Sequence, residues 1–173
     1  MPDFWVFGYG SLIWRPGFAF IERRHASLVG AHRSLCVYSW VHRGTREQPG
    51  LVLGLDRGGA CRGIAFKVAP EAEEEVRAYL KAREQVTDVY LERSRPIRFA
   101  DGTESRALAY LVDRSHTQYA GRLDEDEQVR LVASARGESG WNRDYVLNTA
   151  EHLAELGIPD ANLTRLAERL AAA

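Results

Sequence analysis

The feature that most restricts the fold is a segregation along the chain. The first two-thirds holds short β-rich runs broken by glycine, and the last third holds helical periodicity. That order predicts an α+β fold and not the strict alternation of a doubly wound sheet. Residues 4–7, aromatic and β-branched, read as a strand stopped by Gly8, and 35–41, 51–55 and 62–68 read as further strands with Gly or Pro close by. Runs 93–99 and 106–112 flank Asp101-Gly102, whose positive φ preference predicts a hairpin, and Pro96 predicts an edge-like strand in it. A helix is expected from Pro70-Glu71 to about Glu84, with proline preorganised for the first turn and acids facing the positive dipole end. Ala72, Val76 and Leu80, with Tyr79 beside them, form its core-facing stripe, which reaches Glu84 when continued by four. Two more helices are expected over 124–135 and 142–156, the second stopped by Gly157, and Leu163, Leu166 and Leu170 mark a short last one. No linker-like stretch interrupts residues 1–173, which read as one domain.

Composition excludes several classes. The 173 residues carry 23 Lys plus Arg against 24 Asp plus Glu, a formal charge of -1, so no nucleic-acid footprint is expected. A hydrophobic share of 45% at this length supports one sizeable core without metal or disulfide staples. No apolar run approaches the roughly 20 residues needed to cross a bilayer, so no membrane partner is expected. Residues 1–11 lack a signal-peptide pattern, so a cytoplasmic address is expected. Cys36 and Cys61 lie in apolar runs and are expected to be buried free thiols. The five histidines show no ligand spacing with each other or with cysteine, so no metal site is expected. A monomer is the default.

Two local features carry chemical content. Phe7-Gly8-Tyr9-Gly10-Ser11-Leu12-Ile13-Trp14 is a strand followed at once by a two-glycine loop. Such a loop lets backbone approach a ligand and aims N–H groups at an anion or oxyanion, although a plain strand-ending turn has the same pattern. It lacks the spacing of a dinucleotide fingerprint or a P-loop, and no Gly-x-Ser-x-Gly elbow supports serine hydrolysis. Glu84 is the second feature, a carboxylate on a buried stripe at a helix C-terminus, where desolvation and the dipole both disfavour ionisation. A raised carboxyl suits acid–base catalysis near neutral pH, and pairing with Arg83 is the structural alternative. His42-Arg43-Gly44-Thr45 reads as a polar loop, and Asp124 to Glu127 as the acidic start of a helix.

The glycine loop, then His42-Arg43-Gly44-Thr45, Pro49-Gly50-Leu51-Val52-Leu53-Gly54-Leu55 and Gly58-Gly59-Ala60-Cys61-Arg62-Gly63-Ile64-Ala65, resembles the ChaC-type γ-glutamylcyclotransferases. Arg83-Glu84 with Val86-Thr87 and Tyr90, Tyr119-Ala120-Gly121 and Ser139-Gly140-Trp141-Asn142-Arg143-Asp144-Tyr145 continue the resemblance in order over nearly the whole chain. It implies a small mixed β-barrel or sheet with helices around it, and cleavage of glutathione to 5-oxoproline and Cys-Gly without metal or cofactor. It further implies that Glu84 is the catalytic carboxylate and that Gly8, Tyr9, Gly10, Ser11, Leu12 and Ile13 hold the γ-glutamyl group. Tyr90, Tyr119 and Tyr145 follow from their motif positions as hydroxyl donors, with packed core tyrosines as the alternative. Leu91-Glu92-Arg93-Ser94-Arg95 is more charged than the corresponding stretch of bacterial members, which bears on pocket shape. A cyclotransferase for broader γ-glutamyl dipeptides or γ-glutamylamines, and a non-catalytic γ-glutamyl-binding module, are the competing readings.

Overall fold

The computed structural model describes residues 3–84 and 88–172. They fall into two compact units, one running to Ser34 and from Gly54 to His116, the other covering Leu35–Leu53 and the chain from Thr117 on.

Five strands form a closed barrel: β1 (Phe4–Gly8), β2 (Glu22–Ser39), β3 (Gly50–Val68), β4 (Tyr90–Phe99) and β5 (Glu104–Val112). Their order is β1-β3-β2-β4-β5, and β5 closes the ring by pairing parallel with β1 and with β3. The barrel is therefore mixed, as the resemblance implied. β1 is apolar at successive positions because both its faces are covered. Trp5 and Phe7 join a cluster with Leu28, Leu55, Ile97 and Leu111, while Phe4 and Val6 join a second cluster with Leu12, Val76, Leu80 and Leu108. Ala26, Ala31, Ala65, Ala107 and Ala109 lie in the first cluster, where a narrow barrel needs small residues beside large ones.

Three strand expectations change. The runs 51–55 and 62–68 belong to one continuous strand, β3, because Gly58 and Gly59 take φ of +102° and +70° and let the strand bend without ending. β2 begins at Glu22, well before residue 35, since its first half alternates buried Ala26 and Leu28 with the exposed or half-exposed His25, Ser27 and Val29. β4 is no edge strand: it pairs with β5 along its length and with β2 over Ala26↔Phe99 to Leu28↔Ile97. Pro96 is the first residue beyond the β2 pairing, where a missing N–H is tolerated. The hairpin itself turns at Asp101-Gly102, with the Asp101 carboxylate accepting from the Thr103 N–H at 2.9 Å.

A 3₁₀ turn at Pro70–Ala72 leads into α1 (Glu73–Glu84), whose Val76 and Leu80 are buried on the second cluster as the stripe predicts. In the other unit, α2 (Glu125–Ser134) is capped by Asp124, which accepts from the Glu127 N–H at 2.8 Å, so the acidic run is a helix start. A two-residue strand pair, β6 (Arg136–Gly137) and β7 (Gly140–Trp141), precedes α3 (Asn142–Glu155) and α4 (Ala161–Ala172). Leu163, Leu166 and Leu170 are buried along α4, and Val146 and Leu153 along α3. Cys36 and Cys61 are buried and form no disulfide.

Candidate active site

β1 delivers the glycine loop directly from the covered strand. Gly8 pairs with Ile64 of β3, and Arg33 on β2 donates from Nε to the Tyr9 carbonyl at 2.7 Å and from Nη2 to the Arg62 carbonyl at 2.6 Å. Both sides of the loop entrance are thereby fixed. Residues Ser11–Ile13 then form a 3₁₀ turn in which the Ile13 N–H donates to the Gly10 carbonyl at 2.9 Å. Ile13 is fully buried and Leu12 nearly so, so their side chains anchor the turn while Ser11 is exposed. The N–H groups of Ser11 and Leu12 open the turn, where a 3₁₀ helix has no internal acceptor for them.

Glu84 ends α1, with 18% of its side chain exposed. Burial pushes its carboxyl above the ordinary 4.5, and the Arg83 guanidinium beside it draws it part of the way back. The burial expected at the helix end and the pairing with Arg83 occur together: the carboxylate is half-buried, and Arg83 Nε lies 3.7 Å from Glu84 Oε1. The Arg83 head also faces the loop. Its Nη1 donates to the carbonyls of Arg15 at 2.5 Å and Pro16 at 3.1 Å, and its Nη2 to Ser11 Oγ at 3.3 Å. Ser11 and Glu84 thus both face one guanidinium, through its Nη2 and its Nε.

Tyr90 is half-buried at the start of β4 on the same cluster as Leu12 and Leu80. Val86 and Thr87, part of the motif between Glu84 and Tyr90, lie outside the described residues. A second carboxylate stands nearby in the fold: Tyr110 on β5 donates to Glu92 Oε1 at 2.9 Å across the hairpin. Burial first, then the bond to Glu92 and the charges of Glu92 and Glu84, push the Tyr110 hydroxyl above its ordinary value. Sequence reasoning missed this pair, although the register set by Asp101-Gly102 places Glu92 opposite Tyr110.

Tyr119 and Tyr145 belong to the other unit. Tyr119 bridges to Val37, and the Tyr145 hydroxyl accepts from the Leu53 N–H at 2.9 Å. Asn142, at the head of the same motif, is fully buried; its Oδ1 accepts from the Leu51 N–H and its Nδ2 donates to the Leu51 carbonyl, both at 2.8 Å. Part of the Ser139 to Tyr145 motif therefore pins the start of β3. His42-Arg43-Gly44-Thr45 is a polar turn, with the Thr45 N–H donating to the Gln48 carbonyl and Arg43 donating to the Trp141 carbonyl. Among the described residues, no group of three or more His, Cys, Asp or Glu is placed to hold a metal ion, and no helix is long and apolar enough to cross a membrane.

The chain is similar to known proteins in both sequence and fold. The family model described as ChaC-like protein matches residues 4–173. A glutathione-specific γ-glutamylcyclotransferase of Escherichia coli is 35% identical over 162 residues, covering 94% of this chain and 70% of the relative. Glutathione-specific γ-glutamylcyclotransferase 1 of Homo sapiens is 33% identical over 167 residues, covering 94% and 75%. Among solved structures, a yeast γ-glutamyl cyclotransferase specific to glutathione shares the fold with a TM-score of 0.88 at 23% identity, covering 99% of this chain and 97% of its own. The chain belongs to the ChaC-like protein family.

Proposed function

We propose that this chain is a glutathione-specific γ-glutamylcyclotransferase, with residues 1–173 acting as one domain. The family membership and the names of its relatives in bacteria and vertebrates support the class. The observation that carries the mechanism is the half-buried Glu84 carboxylate, held by Arg83 against the turn that follows the glycine loop.

The substrate supplies its own nucleophile. Its α-amino nitrogen attacks the γ-carbonyl carbon, a five-membered lactam closes, and the amide C–N bond to the cysteinyl residue breaks. No water is consumed and no enzyme nucleophile is needed. Three demands fall on the chain: bending the γ-glutamyl unit, removing a proton from the α-ammonium, and returning one to the departing amine. The backbone from Gly8 to Ile13 takes the first, with the Ser11 and Leu12 N–H groups facing the substrate's carboxylate or its tetrahedral oxyanion. An oxyanion donor of this kind contributes about 2.7–4 kcal/mol. Glu84 takes the second and third, and its raised proton affinity brings it closer to that of the groups it serves. Tyr90, Tyr119 and Tyr145 are assigned as hydroxyl donors on their motif positions. The reaction is assigned to the cytoplasm.

The test is to incubate the purified chain with glutathione and with γ-Glu-Ala, and to quantify 5-oxoproline and released amine by mass spectrometry. Product from glutathione alone supports the specific enzyme, and product from both moves the reading to the broader γ-glutamyl class. Absence of 5-oxoproline from either moves the reading to another γ-glutamyl substrate, such as a γ-glutamylamine, or to a binding module. Because Glu84 must be ionised to accept the ammonium proton, kcat/KM is expected to rise with pH along an acid limb whose midpoint lies above 4.5. A limb at or below that value in a pH-rate profile removes Glu84 from the role of base.

A further inference from the structure

We propose that Arg83 is a positioning residue for this reaction, a clasp that sets the spacing between the loop holding the γ-glutamyl group and the carboxylate that moves its proton. The proposal rests on the cyclotransferase reading above and extends it to a residue that touches neither reacting atom.

The geometry is specific. One guanidinium reaches four acceptors on two elements: the carbonyls of Arg15 and Pro16, Ser11 Oγ, and the Tyr79 hydroxyl one turn back on α1 at 3.2 Å. Its Nε edge is turned to Glu84. Only a planar fork with five N–H donors covers such a spread, which a lysine ammonium does not. The chain after the 3₁₀ turn is shaped to meet it. Gly17 takes φ of +75°, and a β-carbon there would collide with the Tyr79 hydroxyl, so this segment lies flat on α1. Phe18 packs edge-on against Tyr79 at 6.4 Å between ring centroids. Leu12 packs beneath, in one cluster with Val76 and Leu80. The apolar contacts hold loop to helix, and Arg83 fixes their register at the end where the chemistry falls.

The charged and titratable groups around Glu84 are few among the described residues. Arg83 stands beside it on α1, and from β5 Tyr110 senses its charge, bonded in turn to Glu92 of β4. Arg77 of α1 acts on Tyr110, and Arg83 is the cation that acts on Glu84 itself, so its removal and its replacement by another cation have different signatures.

The experiment compares Arg83→Met and Arg83→Lys with the native chain. In R83M, kcat is expected to fall about 10- to 100-fold with KM changed far less, because small misplacements at a reacting centre have effects of that size. Its acid limb is expected to move up by about one pH unit, as loss of a neighbouring opposite charge requires. In R83K the limb stays and kcat still falls, since the charge remains and the four-acceptor contact does not. A native kcat and an unmoved limb in R83M overturn the proposal. So does a rate loss in both variants that follows their folded fraction in thermal melts, with the limb unmoved in R83M. A ¹³C titration of the Glu84 carboxyl in the native chain and R83M reads the same coupling without turnover. An upward shift there supports the clasp even if the native chain makes no 5-oxoproline, a result that would defeat the functional reading alone. An unshifted carboxyl in an active enzyme defeats the clasp alone.

Discussion

Replacement of Glu84 by glutamine is expected to lower the rate of 5-oxoproline release from glutathione by about 10²- to 10⁴-fold, the range supplied by one acid–base group. The amide keeps the shape and a hydrogen-bonding oxygen but cannot carry the proton, so KM should change little. Stability should move the other way. Burial raises the folded-state proton affinity of Glu84 above its unfolded value. Its contribution to stability is therefore fully present below the unfolded value and is lost as pH rises through the raised one. Glutamine has no such loss. Thermal melts should show the E84Q variant at least as stable as the native chain at pH 7 and no more stable at pH 4. Native-like turnover in E84Q ends the mechanism, and a variant that melts well below the native chain at pH 7 makes the carboxylate a structural partner of Arg83.

The largest stability effect is expected at Asn142, in the unit that does not contain Glu84. Its side chain pairs with both backbone groups of Leu51 as a neighbouring strand would. Asn142→Ala strands a buried donor and a buried acceptor, each costing about 1–3 kcal/mol when unpaired. A total near 2–4 kcal/mol is expected, or a fall in Tm of roughly 5–15 °C for a chain of this size. Denaturant titration of N142A alongside the conservative N142Q separates lost hydrogen bonds from lost volume. A loss below about 0.5 kcal/mol shows that solvent reaches Leu51 and takes over the pairing.

What the sequence discloses follows the range of the interactions involved. The β4–β5 hairpin, the start and stripe of α1, and the Asp124 cap rest on residues a few positions apart, and all are as the local pattern predicts. The first half of β2 is hidden because its ends are charged and its alternation includes Gly30; only closure of the barrel makes Ala26 and Leu28 core residues. The β3 bend is equally hidden, since two adjacent glycines end a strand as often as they bend one. At the site, Glu84 is legible from the four-residue repeat of Val76 and Leu80. The reach of Arg83 is not, because three of its four acceptors lie 67 to 72 positions away along the chain. In the sequence Arg83 shows its short-range pairing with Glu84 and not the contacts across to the loop.

The burial of Cys36 and Cys61 bears on the company this enzyme keeps. Glutathione is a thiol whose oxidised form exchanges with any protein thiolate it can reach, and the accumulating Cys-Gly is a thiol as well. Cys36 is shut away completely and Cys61 is 3% exposed, its Sγ directed at the Arg62 carbonyl. The folded chain therefore keeps both thiols out of reach of any disulfide in solution.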